Sequence, residues 1–103
     1  MKFQLEKIQE SPASLLRRAG YVFQHDRDGE MSFVRVLARA GYPRFHIYLH
    51  LKGTTLMGSI HLDQKKETYG RDTRHHGEYA DEGALKDEIT RIQEIVPTIR
   101  FFA

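Results

Sequence analysis

The segment from Phe45 to Lys65 constrains the fold most. Two runs, Phe45 to Lys52 and Leu56 to Lys65, alternate apolar and polar residues around Gly53-Thr54. Alternation at period two marks strands with one buried face. A two-residue loop containing glycine joins such strands as a hairpin. Closing the hairpin there pairs Lys52 with Thr55, so that Ile47 faces Ile60, Phe45 faces Leu62 and Leu51 faces Leu56. Every apolar pair lands on one side, which is the condition that fixes a register. The other side receives His46 opposite His61 and Arg44 opposite Asp63.

The flanking segments extend this sheet. Tyr21-Val22-Phe23 is β-prone, and Asp26-Arg27-Asp28-Gly29 is a turn signal. Ser32 to Arg39 reads as a strand and Ala40-Gly41-Tyr42-Pro43 as the turn after it. That turn sets Val36 against Ile47 and Val34 against Leu49, both toward the core. Ser11-Pro12 reads as an N-cap followed by proline in the first helical turn, with Gly20 as the stop. Residues 2 to 8 fit either a strand or a helix. Leu85, Ile89, Ile92 and Val96 form an amphipathic stripe on a helix that starts near Asp81 or Glu82 and is ended by Pro97. The apolar tail Ile99-Arg100-Phe101-Phe102 suits docking on the sheet edge or on a second subunit. The expected fold is one α+β domain over residues 1–103, a four-stranded antiparallel meander with two helices packed on one face.

Composition narrows the chemistry. The chain has no cysteine, which removes disulfides, thiolate metal sites and thiol nucleophiles. No apolar run reaches the length of a membrane span, and the first residues lack a secretion signal, so a cytoplasmic protein with no membrane partner is expected. The net charge is only +2, with both signs mixed along the chain. A nucleic-acid surface would therefore have to be assembled by folding. Six histidines in 103 residues is a high proportion, and imidazole is a common metal ligand.

Three of those histidines lie between positions 61 and 79. His61 and Asp63 are two apart on a strand and point to one side. A loop carrying His75 and Glu78 would fold back onto them, with Gly77 permitting close approach and Asp72 and His46 in reserve. His61, Asp63, His75 and Glu78 thus make a candidate site for a divalent metal, zinc or a similar ion. In that reading Asp63 or Glu78 is a general base on metal-bound water, and Lys65 or Arg74 holds the phosphate of a substrate to be hydrolysed. The alternative is a solvated strand end and a polar loop. Asp63-Gln64-Lys65 also resembles the tail of the (D/E)xK nuclease pattern, which needs an upstream carboxylate on a neighbouring strand; the nearest, Glu30 and Asp28, stand at the far end of a turn. The paired histidines fit an HNH nuclease poorly, because the following helix offers Asp87 and Glu88 instead of a third ligand. Ser59 has no nucleophile elbow around it.

The side opposite the helices is the second candidate. Phe33, Arg35, Arg44, His46, Tyr48 and His50 mix aromatic and basic groups there, a combination that stacks bases and holds phosphates in RNA binders. The same face would equally serve as a homodimer interface. The order of helices and strands invites comparison with double-stranded RNA-binding domains, but the last helix lacks their lysine-rich start.

The stretches Phe45 to His50, His61-Leu62-Asp63-Gln64-Lys65 and His75-His76-Gly77-Glu78-Tyr79 are similar to a group of small bacterial proteins. That group shares an HLDQK strand, a His-x-Gly-Glu-Tyr loop and an acidic last helix. The similarity covers roughly residues 31 to 96. It favours His75 over His76 as a ligand, since His76 stands where a small residue is usual. The group carries no established activity, so the resemblance implies no function.

Overall fold

The structure, a computed structural model, describes residues 1–64 and 82–102. Strand β1 (Lys2–Leu5) is followed by helix α1 (Pro12–Arg18). Then come β2 (Val22–Arg27), β3 (Glu30–Val36), β4 (Arg44–Lys52) and β5 (Thr55–Asp63). Helix α2 (Glu82–Ile95) and β6 (Ile99–Phe101) complete the chain. The class is α+β as expected, but the antiparallel sheet has six strands rather than four, in the order β2-β3-β4-β5-β1-β6. No helix among the described residues is long and apolar enough to cross a membrane.

Local chemistry explains the turns and caps. Ser11 accepts a hydrogen bond from the Ser14 amide at 3.1 Å, with Pro12 next to it, so α1 starts where the N-cap and proline rules place it. Asp28 and Gly29 both have positive φ, 53° and 85°, as the tight turn between β2 and β3 needs. Gly53, at φ 65°, opens the next two-residue loop, and Lys52 pairs with Thr55. From there β4 and β5 follow the expected register throughout, including His46 opposite His61 and Arg44 opposite Asp63.

The β3–β4 register departs from the expectation. Val36 pairs with Arg44, and Phe33 with Ile47. The strand stops at Val36, and residues 37 to 43 form a longer loop closed by the Leu37 amide on the Pro43 carbonyl at 3.0 Å. The slip is an odd number of residues, so it reverses the faces of β3. Phe33 and Arg35 therefore lie on the helix side and not on the outer face. The reversal buries Phe33 completely, a larger apolar gain than Val34 would give in its place.

The core lies between the sheet and the two helices. Leu15, Leu16 and Ala19 of the α1 region and Ile92 and Val96 of the α2 region pack on Phe3, Phe33, Phe45, Ile47, Leu49, Ile60 and Leu62. Glu88 is buried among them. Tyr21 Oη donates to it at 2.5 Å, Arg35 at 2.7 and 3.0 Å, and Arg91 at 2.9 and 3.0 Å. Arg91 also donates to the Ala19 carbonyl. This cluster joins α2 to β3 and to the end of α1. It also gives Arg35 a partner on the side to which the register carries it.

Candidate functional site

The outer face, opposite the helices, is laid out in rows by the strand register. One row is Val36, Arg44 and Asp63; the next is Val22, Val34, His46 and His61. A third is His25, Ser32, Tyr48, Ser59 and Lys2. The fourth is Arg27, Glu30, His50, Met57, Gln4 and Arg100. All four described histidines, His25, His46, His50 and His61, fall on this face. Among the described strand residues, the cations Lys2, Arg27, Arg44, Lys52 and Arg100 share it with the carboxylates Glu30 and Asp63. The described strand residues of this face thus carry an excess of positive charge.

His46 is the hub of a hydrogen-bonded clamp. Its Nε2 lies 2.6 Å from Ser32 Oγ, and its Nδ1 lies 3.3 Å from Asp63 Oδ2. Ser32 donates to Gln24 Oε1 at 3.0 Å, and Arg44 Nε donates to Asp63 Oδ2 at 3.4 Å. The Tyr48 ring stacks on the imidazole with centroids 4.3 Å apart, and His61 meets Tyr48 edge-on at 6.1 Å. Burial pushes the Asp63 carboxyl up, but the His46 contact and then Arg44 outweigh it and hold it below its ordinary value. Burial raises the Tyr48 phenol, with Asp63 and Glu30 adding to the effect. His25 sits opposite Ser32 and keeps a buried Nδ1 with no hydrogen-bond partner among the described residues.

Ser32, His46 and Asp63 have the contacts of a nucleophilic triad. Access decides against that chemistry. Ser32 is 0% exposed and its proton is directed at Gln24. It sits on an interior strand, whose amides serve the sheet ladder and not an oxyanion. The clamp ties four strands together instead.

Open space lies beside the clamp. A pocket of about 230 Å³ is lined by Lys2, Glu30, Tyr48, His50, Lys52, Met57, Gly58 and Ser59. It runs from β3 to β1, about 14 Å across the strands. Sequence reasoning put Tyr48 and His50 on this face but not Lys2 or Glu30. Lys2 joins the face only because β1 inserts beside β5, and Glu30 only because β3 is reversed.

No family model, curated protein or solved structure matches the chain.

The expected site residues are brought together only in part. Arg44, His46, Tyr48, His50, His61 and Asp63 share the outer face, while Phe33 and Arg35 do not. Lys65, Asp72, Arg74, His75, His76 and Glu78 lie outside the described residues. Among the described residues no three of His, Asp and Glu come together in a group that would hold a metal ion.

Proposed function

We propose that the outer face binds single-stranded nucleic acid without chemically altering it. The observation that supports this reading most is the pocket at Tyr48, with lysines from two different strands on its lining and an excess of cations on the surrounding face. Lysines attract the phosphates, and an aromatic ring beside them supplies a surface for base stacking. The sheet is six strands wide, about 24 Å between its outer strands, so several nucleotides can lie across it.

Fluorescence anisotropy with labelled single-stranded oligonucleotides tests the reading. Affinity is expected to fall by an order of magnitude or more between about 50 and 200 mM salt. Tyr48→Ala should weaken binding by about tenfold, in line with the loss of one stacked base. Lys2→Glu with Lys52→Glu should weaken it further and flatten the salt dependence. Binding that ignores all three substitutions would remove the reading. If the oligonucleotides do not bind and sedimentation shows a dimer disrupted by the same changes, the face instead serves a second copy of the chain.

A divalent-metal site is the second reading, favoured by His61 and Asp63 sharing the outer face directly before the segment that carries His75 and Glu78. An ion there would have to compete with Arg44 and His46 for the Asp63 carboxylate. This reading expects a melting-temperature rise of several degrees with zinc, manganese or nickel, lost in both His61→Ala and His75→Ala. Melting unchanged by all three metals would discard the site and the hydrolytic role built on it.

A further inference from the structure

The pocket holds one group that a simple phosphate-binding surface would not contain. Glu30 projects from β3 into a space also lined by Lys2, Lys52, Tyr48, His50 and Ser59. Neither lysine forms an ion pair with it, and it has no other ion pair among the described residues. Its charge is nevertheless close enough to raise the Tyr48 phenol.

A carboxylate repels the phosphodiester that the lysines attract. It becomes favourable only where the ligand brings a hydrogen-bond donor to it, since an ionised carboxylate only accepts. The deoxyribose-phosphate backbone has no such donor. A ribose has its 2′-hydroxyl, which both donates and accepts. Ser59 on the same lining has a hydroxyl able to take either role.

Resting on the nucleic-acid reading above, we infer that this pocket selects RNA over DNA, with Glu30 accepting the 2′-hydroxyl of a ribose whose neighbouring phosphates lie against Lys2 and Lys52. The ring of Tyr48 lies beside that sugar, where the attached base can reach it. The selection follows from two opposed effects at one carboxylate, repulsion of either backbone and a hydrogen bond that, of the two sugars, only ribose can donate.

Oligouridine and oligodeoxyuridine of equal length form the test pair, because they carry the same base and differ only at the 2′ position. The intact protein should bind the ribose form about tenfold more tightly, the worth of one charge-assisted hydrogen bond. Glu30→Ala removes both effects. It should tighten oligodeoxyuridine binding and leave oligouridine binding unchanged or weaker, so that the ratio falls toward one. Glu30 is solvent-exposed at the start of β3, and an unchanged melting temperature would show that the fold is kept. Glu30→Gln retains an acceptor without the charge and should give an intermediate ratio. Equal binding of the two oligomers by the intact protein overturns the inference while leaving the binding function standing. So does a ratio that survives Glu30→Ala, because both affinities then move together, as a general electrostatic role requires. Failure of the intact protein to bind either oligomer overturns the parent reading and this one together.

Discussion

Glu88→Ala is expected to cost about 3–5 kcal/mol of folding stability, because it leaves two arginines beside a buried space with no counter-charge. Glu88 has a side-chain exposure of only 2% and receives hydrogen bonds from Tyr21, Arg35 and Arg91. Small domains have about 5–15 kcal/mol in total, so the variant should melt about 15 °C or more below the parent in a circular-dichroism scan. A loss under about 0.5 kcal/mol would show that the cluster holds nothing together. Arg35→Ala belongs to the same cycle. Both residues act through one contact, so the double variant should lose much less than the sum of the singles. If the outer face binds nucleic acid as proposed, Arg35→Ala should match the parent in affinity at a temperature where it remains folded, since Arg35 lies on the helix side.

The same carboxylate sets an acid limit. Burial raises the Glu88 pKa, but hydrogen bonds from Arg91, Arg35 and Tyr21 win and bring it from 4.5 down to about 2. A depressed pKa means that the unfolded chain binds the proton first as pH falls. The stabilisation is therefore fully present above about pH 4.5 and is lost as pH drops through about 2. In Glu88→Gln this part of the acid dependence should vanish. An acid-unfolding curve with the same shape in both proteins would contradict the assignment.

Gly58→Ala should also destabilise, against the usual trend. Glycine in a strand is ordinarily less favourable than alanine. Here a Cβ would stand 2.5 Å from Phe3 Cζ and 2.8 Å from Leu49 Cδ2. Phe3 and Leu49 are both fully buried, and the Phe3 ring packs on Phe101 at 5.2 Å, so neither side chain has room to retreat. The cost should be about 1–3 kcal/mol in urea unfolding, typical of overpacking. Combining Gly58→Ala with Phe3→Leu should recover part of it, because the second change makes the space that the first needs. A Gly58→Ala protein as stable as the parent would mean that β1 does not lie over β5 in this way.

How much was legible in the sequence depends on loop length. The β4–β5 register could be read because a two-residue turn leaves few alternatives and the apolar pairs agree with it. The β3 strand misled because the chain leaves the sheet at Val36, before the apparent turn at Ala40-Gly41. Seven connecting residues permit several registers, and a slip by an odd number reverses every side chain on the strand. That reversal explains the misplacement of Phe33 and Arg35 and also why Glu30 and Ser32 were not placed on the outer face. Strands β1 and β6 are too short for alternation to identify them, and their partners are remote in sequence. Glu88 reads as a solvent-facing helix residue until Arg35 is put on the correct side of the sheet. The tyrosine, the histidines at 46, 50 and 61, and Arg44 were placed correctly because they sit on the hairpin whose register was secure.

The position of β1 has a consequence for how the chain reaches this state. The strands from β2 to β5 pair with their sequence neighbours, so their loops close cheaply and early. Strand β1 has no such neighbour. Phe3 meets Gly58 on one side and Phe101 on the other, and Lys2 can reach the pocket only when that pairing is made. During synthesis β1 must therefore wait, its apolar residues uncovered, for partners that follow it by more than fifty residues. The outer face is completed by the least local pairing in the sheet. A partly folded chain would have the meander and Tyr48 in place but would lack the lysine of the first strand.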